Sequence, residues 1–540
     1  MDAHEAQTAS GSRRGQSPSA GDRALRLAQL ALALLVVQRV AYHLSYLLGS
    51  PFALATFSDG QLYEVAARDL LVHPPLGSQP FYLQGLYAAV LALPMSFTGT
   101  VVSGLLLQLA IAAAALWLFH RAARQALPPL AATLSTVALL SFFELAYYEN
   151  KYLSVSLGVS MNVLALWSLV RAMPSLRAGA LLLAGLCGGL SLLGRPNMIL
   201  ALPFSLLALA VLARQARRSA RGPLLLFALG VLLAVAPMAL RNQVVVGDPQ
   251  VFPSHGGGIP FFIGNNPHAN GRWNTAGGLV TGQVFRERVE LARKLGVDPA
   301  GRSAGQLDRA IGDALRARGM RYIAEHPGQW LALTAKKLWL TLGNHPFVRD
   351  YDMRGEREML GAWHHLGMPF GLLLGLGVIG AAAVAGRAAR ERPERARMAA
   401  LLLILGGQFA AVLAANLLVF TSAQNRLPLS IPLAFVAGPG MLAIAARVRS
   451  TPRPAFRASL PAMALAALLT AQAFWPRTRD VNRPSSVHYY NLAAVEEALG
   501  RVDDAVEHYR IALQRQPDQP VFRRSYERAL REQRRRHSGR

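Results

Sequence analysis

The sequence predicts an all-α protein that crosses a membrane many times, and three observations predict it. Of its 540 residues, 52% are hydrophobic and only 16% charged, whereas soluble domains carry about 25% charged residues. Apolar runs of the length that a hydrocarbon core of about 30 Å requires recur along the chain. Between them the arginines gather in short clusters at every second loop, as the positive-inside rule demands of a polytopic protein. Topology therefore explains most of the net charge of +26. No aromatic-basic pattern argues for nucleic acid as a partner.

Taken in order, residues 1–26 are rich in Ser, Gly and Arg and are expected to form a disordered, basic cytoplasmic tail. About eleven spans are expected, near 27–48, 100–119, 127–147, 152–171, 178–194, 197–213, 223–240, 366–386, 398–420, 427–446 and 458–475. Arg13, Arg14, Arg23 and Arg26 hold the N-terminus in the cytoplasm, and the basic clusters at 120–124, 171–177, 214–221, 387–397 and 447–457 fall on the same side. No convincing peptidase site follows the first run, so it is read as a retained anchor. Phe81 to Phe97 is apolar enough to span. Counting it would put several basic loops outside, so it is expected to lie at or dip into the outer surface. Arg195-Pro196 divides one long apolar run into two spans.

This pattern divides the chain into an N-terminal transmembrane module at 27–240 and C-terminal helices at 366–475. The expected external regions are a first loop at 49–99, a short turn at 148–151, a stretch at 241–365 and the segment 476–540 with its basic tail. The 241–365 stretch is too long for a structureless loop, and its helical patterns at 284–296 and 305–325 predict a small subdomain. Cys187 has no cysteine to pair with and reads as a small buried packing residue.

The C-terminal segment follows another rule. His488-Tyr489-Tyr490-Asn491-Leu492-Ala493, Leu499-Gly500, Asp504-Ala505, His508-Tyr509, Ala512-Leu513 and Pro517 match the tetratricopeptide pattern of about 34 residues, with 521–533 as a capping helix. One such repeat buries its apolar face poorly alone. It is expected to dock on a partner protein, a second copy, or the external subdomain.

Among the polar residues, Asp59 carries the most chemistry. Ser58-Asp59-Gly60-Gln61 reads as a capping box, with Asp59 at the first helical position, where the helix dipole favours its charge. Tyr63 stands one turn on, and Glu64 with Arg68 forms an i,i+4 pair. Aspartate is also common in first turns for stability alone. The Gly-rich stretch 256–258 lacks the features of a phosphate loop, and His255 and His268 lack metal spacing.

The stretch from Asp59 through Gln79-Pro80-Phe81-Tyr82-Leu83-Gln84-Gly85-Leu86-Tyr87 resembles the first external loop of the GT-C membrane glycosyltransferases. Within them it is similar to the bacterial relatives of protein O-mannosyltransferases and the aminoarabinose transferase, glycosyltransferase family 39-like. Gly188-Gly189-Leu190…Arg195-Pro196-Asn197, Arg241-Asn242 with Phe262-Ile263-Gly264-Asn265-Asn266-Pro267, and Arg426-Leu427-Pro428 resemble later motifs of the same group. The likeness covers roughly 27–450. It departs at Gly60, where the group has a second acid, and at Gln424, where it has an arginine. A divalent ion normally takes several oxygen ligands, so Gly60 puts a metal-assisted version in doubt; no cofactor is certain, and whether a divalent cation takes part stays open.

The resemblance implies a GT-C-like helix arrangement in a bacterial inner membrane. It also implies inverting transfer of a sugar from a polyprenyl-phosphate donor to an acceptor protein, lipid or glycan on the external face, with Asp59 as general base. The departing phosphate then needs cations, and Arg426, Lys151, Arg195 and Arg241 are the candidates. Each also reads as a headgroup-snorkelling residue at a span end. Tyr63, Glu149, Tyr82, Asn265 and Asn266 are candidates for acceptor or structural support.

Two other readings compete. In one, the chain is a non-enzymatic membrane scaffold whose repeat recruits an envelope-assembly partner. In the other, it transports a lipid-linked sugar, which would need polar residues deep in several spans. Gln108, Asn162, Gln408 and Asn416 are the few there.

Overall fold

A computed structural model describes residues 19–274, 287–347, 349, 351–361, 367–391, 394–449, 456–476 and 485–538. Among these residues the protein is all-α, with one isolated bridge between Arg272 and Thr421. Among the described residues eight helices are long and apolar enough to cross a membrane, or nine if a bent pair counts as one span. The chain is a polytopic membrane protein.

Helix α1 (Ala20–Gly49) starts from a capping box in which Ser19 and Asp22 bond reciprocally. At about 45 Å it is longer than a bilayer core. After α2 (Asp59–Val72) comes α3 (Gly85–Thr98), the segment expected at the surface. It buries Tyr87, Leu91 and Met95 against α2 and α4 (Val101–Ala126). The Tyr87 hydroxyl donates to Gln108 on α4 at 2.6 Å.

Of the eleven runs expected to span, 178–194 and 458–475 fall on helices shorter than those eight, and a third is broken. The run 127–147 is not one helix but two, α5 (Pro129–Ser141) and α6 (Phe143–Glu149), bent by 59°. The Ser141 carbonyl accepts from the Met368 N–H at 2.6 Å, and Phe142 packs in the core near Phe370. The bend turns α6 so that every one of its residues is buried, Glu144 and Glu149 included. Next come α7 (Ser154–Ala172), α8 (Ala178–Gly194), α9 (Leu202–Gln215) and α10 (Arg221–Val246). The break at Arg195-Pro196 stands where the sequence puts it, as a 3₁₀ turn over Pro196–Ala201.

The 241–365 stretch contains α11 (Gly258–Gly264), α12 (Arg288–Leu295), α13 (Ala304–Glu325), α14 (Pro327–Thr341) and α15 (Met353–Leu360). Two of them, α12 and α13, fall on the expected helical patterns; the start of the first, 284–286, lies outside the described residues. Their apolar faces join α11 in a small core of Ile259, Ile263, Leu307, Ile311 and Leu315. Helix α14 was not expected. It packs on α17 and buries Lys337, whose ammonium donates to the Leu417 carbonyl at 3.0 Å and to Asn265 at 3.2 Å.

The remaining apolar helices are α16 (Phe370–Arg390), α17 (Arg395–Leu418), the short α18 (Ala423–Arg426), α19 (Ser430–Arg449) and α20 (Phe456–Phe474). Three further helices, α21 (Ser486–Ala498), α22 (Val502–Arg515) and α23 (Pro520–Ser538), pack successively on one another. They do not stand apart. Leu492 and Val495 enter the main core, Asp352 accepts from the Ser485 N–H at 2.8 Å, and Glu358 accepts from the Tyr489 hydroxyl at 3.0 Å. The His488 ring lies so close over Gly355 that a Cβ there would come within 2.2 Å of it. Helix α21 is thus covered by this chain's own turn at Pro51–Ala53, where Phe52 meets the His488 ring, and by α15.

Candidate functional site

Helix α2 begins at Asp59, as its sequence predicts, but not through the expected capping box. Ser58 makes no side-chain cap hydrogen bond and holds φ at +51°. That left-handed turn is rare for a residue with a Cβ. Gly60, where a second acid was expected, sits against Tyr152; a Cβ at 60 would lie 3.2 Å from both the Tyr152 Cβ and its carbonyl oxygen. Glycine therefore lets the first turn of α2 lie against the start of α7. Asp59 is buried at 6% exposure and paired with Arg349, Nη2 to Oδ2, at 2.8 Å.

Asp59 and Arg349 face a cavity of about 310 Å³, which Tyr63, Tyr82, Gln84, Ser154, Arg195 and Asn197 also line. Arg195 comes from the break after α8 and crosses α7 at Gly158; a Cβ at 158 would stand 2.5 Å from the Arg195 Cγ. One guanidinium nitrogen donates to the Gln424 carbonyl at 3.2 Å, while Nε is buried without a partner among the described residues. Gln424 lines the cavity too, on α18. The Tyr63 hydroxyl donates to the Gln84 side-chain oxygen Oε1, which also accepts from the Ser154 hydroxyl at 2.9 Å. Burial pushes the Tyr63 and Tyr82 phenols up, and the nearby Asp59 charge adds to the rise at both. Both rings are neutral donors at physiological pH.

The segment after α10 supplies the remaining wall through Phe252, His255, Ile259 and Trp273. Desolvation pushes His255 down to about 4, with the Arg316 charge acting in the same direction. Among the charged lining residues described, two arginines face one aspartate. The cavity is basic on balance and rich in aromatic rings.

Four of the residues expected at the site therefore meet there: Asp59, Tyr63, Tyr82 and Arg195. The others do not line the cavity. Arg426, buried at 1% exposure, pairs with Glu144 at 2.6 Å, donates to the Gly343 carbonyl and stacks on Phe370. Lys151 is fully buried against Glu356 at 2.5 Å, under the Tyr46 and Tyr147 rings. Arg241 donates to the Leu76 and Gln79 carbonyls, both at 2.7 Å, and lies over Phe81. Glu149 pairs with Arg39 at 2.6 Å, not with Lys151.

Asn265 donates to the Leu418 carbonyl at 2.7 Å and ties α11 to the end of α17. Asn266 donates to the Phe262 carbonyl and accepts from the His268 N–H, both at 2.8 Å. All six are engaged in contacts that hold helices and loops together; for Glu149, Asn265 and Asn266 this is the structural support that was the alternative to acceptor contact. Sequence reasoning missed Arg349, Trp273 and the cavity-lining position of His255. Arg349 and Trp273 sit in irregular stretches without periodicity or a motif.

No group of three or more His, Cys, Asp or Glu that could hold a metal ion occurs among the described residues. Asp59 is the one carboxylate among the described lining residues, and Arg349 already occupies its Oδ2. A divalent ion needs several oxygen ligands, so these residues do not fit one.

No family model and no curated protein matches the chain. Among solved structures it is similar to the Archaeoglobus fulgidus oligosaccharyltransferase. In the form tethered to an acceptor peptide with the NVT sequon, identity is 13%, coverage 92% of this chain and 59% of that chain, and the TM-score 0.40. The complex with Zn and sulfate gives 13%, 87%, 56% and 0.43. The complex with an inhibitory peptide and a dolichol-phosphate gives 12%, 93%, 59% and 0.36. The chain thus spans less than two thirds of their length, and a likeness of this size carries no conclusion about fold or activity.

Proposed function

We propose that this chain is a membrane glycosyltransferase that moves a sugar from a polyprenyl-phosphate donor to an acceptor hydroxyl or amine. The observation that carries the reading is the cavity where the Asp59 carboxylate and the Arg195 and Arg349 guanidiniums converge at the start of α2. The acceptor oxygen or nitrogen attacks the anomeric carbon while the bond from that carbon to the phosphate oxygen breaks. The electron pair leaves with the lipid phosphate, and the acceptor proton goes to Asp59. One in-line displacement inverts the anomeric centre.

Arg349 links the two ends of the step. It orients the Asp59 carboxylate, and its positive charge becomes available to the leaving phosphate as Asp59 is protonated. Arg195 adds a second cation, whose planar fork suits phosphate oxygens. A transporter is less well supported, because the span-interior polar groups join helices to one another. Gln108 donates to the Glu149 and Lys151 carbonyls at 2.6 and 2.9 Å, Gln408 to the Asn162 carbonyl at 3.3 Å, and Asn416 to the Asn425 carbonyl at 3.3 Å. The bacterial inner membrane, with the cavity on its outer side, is the proposed setting.

Asp59→Asn tests the proposal. It is expected to lower transfer by about 10²–10⁴-fold in membranes where the protein stays folded and inserted. Mass spectrometry of envelope glycans from a deletion strain identifies the acceptor for that assay. Unchanged turnover of the variant refutes Asp59 as the base. A scaffold would instead tolerate this change and fail on removal of 485–540.

A further inference from the structure

Resting on that reading of the cavity as a donor site, we propose that its wall of residues 252–273 is a sugar subsite. It is built for an uncharged, hydroxyl-rich pyranose and is closed to a sugar bearing a free ammonium group. The His255 ring lines the cavity, and its Nδ1 accepts from the Gly257 N–H at 3.1 Å. In a neutral imidazole the other nitrogen then carries the proton. Nε2–H is then the ring's donor.

Trp273 lines the same cavity, and its indole Nε1 is buried with no hydrogen-bond partner among the described residues. So is the Arg195 Nε. A buried donor left unmade is costly, and native proteins rarely tolerate one unless something else completes it. All three groups donate and none accepts. Their complement is a ligand that offers oxygen lone pairs.

Charge points the same way. Arg195 and Arg349 already outnumber Asp59, and Arg349 bridges that carboxylate at 2.8 Å. An ammonium placed here would be one more buried cation with no free carboxylate among the described residues, an arrangement strongly disfavoured in a desolvated site. Neutral hydroxyls pay no such penalty. The Tyr82, Phe252 and Trp273 rings give the C–H faces of a pyranose an apolar wall. His255 remains an uncharged donor throughout the physiological range, since its desolvated ring is pushed down to about 4.

The test uses the full chain in lipid nanodiscs and displaces a fluorescent polyprenyl phosphate with three unlabelled probes. These are polyprenyl phosphate itself, its hexosyl phosphodiester, and its phosphodiester with a 4-amino-4-deoxypentose. The hexosyl lipid is expected to bind at least about tenfold more tightly than the bare phosphate, and the amino sugar no more tightly than the bare phosphate. In His255→Phe and Trp273→Phe the hexose advantage falls about five- to tenfold, the scale of one lost hydrogen bond. Bare-phosphate affinity stays put and doubles as the folding control. His255→Gln, which restores a neutral N–H, keeps the advantage. If the bare lipid phosphate does not bind, the donor-site reading fails and this proposal with it. If the phosphate binds but the amino sugar matches the hexose, or both phenylalanine variants keep the advantage, only the sugar subsite is overturned.

Discussion

At Gly158 a single hydrogen decides where Arg195 lies. The arginine crosses α7 within van der Waals reach, and a methyl group at 158 would meet its Cγ at 2.5 Å. Gly158→Ala should strengthen the helix, because alanine is favoured over glycine by about 1 kcal/mol in a helix interior. It should also push the guanidinium out of register with the cavity. The expected outcome is unchanged helical circular dichroism with about tenfold weaker binding of polyprenyl phosphate, read by the same displacement assay; equal binding would mean that Arg195 does not hold phosphate. The residue scale was only partly legible in the sequence. Asp59 stood out because a carboxylate follows directly on an apolar span, and Arg195 because Arg-Pro breaks one. Arg426 and Lys151 looked equally functional, since charge beside a span is costly. Their partners, Glu144 and Glu356, lie 282 and 205 positions away, and no local pattern reveals such a pairing.

Among elements, the docking of α21 on α15 is the most open to experiment. His488 packs over Gly355, and desolvation pushes it down to about 4; Asp352 pulls it back up, while His508, Lys151 and Arg515 push it further down. Once undocked, the ring returns to an ordinary value near 6.5. The undocked state then binds more protons between these two values, so docking is full above about pH 6.5 and weakens as pH falls toward 4. His508 works in the opposite sense. Its bond to Glu496 raises it, so what it adds to the helical unit is lost as pH rises through that raised value. Protection factors for amide exchange at 486–498, taken against the intrinsic rate at each pH, should therefore fall on acidification from pH 6.5 to 5, and His488→Gln should flatten that dependence; an unaltered slope would assign the effect elsewhere. The helices themselves were legible from their periodicity. Helix α14 was not, because Lys336-Lys337 interrupts its apolar face and only the carbonyls at the end of α17 explain a buried lysine there.

For the whole molecule, the short α6 and the turn after it act as a hub. Glu144 pairs with Arg426 from α18, Glu149 with Arg39 from α1, and Lys151 with Glu356 from α15. These pairs join the start of α19, the first span and the docking platform of the C-terminal helices around one buried turn. Removing one partner of such a pair leaves a buried charge uncompensated, at a cost of about 3–5 kcal/mol. Lys151→Met should lower the unfolding temperature sharply in detergent, and adding Glu356→Gln should recover most of the loss. Additive losses in the double variant would show that the two side chains do not act as a pair.

Local pattern alone determined that the chain is helical and polytopic, where most of its spans run, where the Arg195-Pro196 break falls and that α2 starts at Asp59. Hydropathy and helix-start signals act over a few turns, and a sequence displays them directly. Only the tertiary structure decided that the run 127–147 bends at Phe142, which cations are consumed in buried ion pairs, and that Arg349, His255 and Trp273 meet Asp59. The physical reason is range. A buried charge or an open cavity is defined by neighbours hundreds of positions away, and desolvation acts on that assembled environment rather than on the residues beside it in the chain.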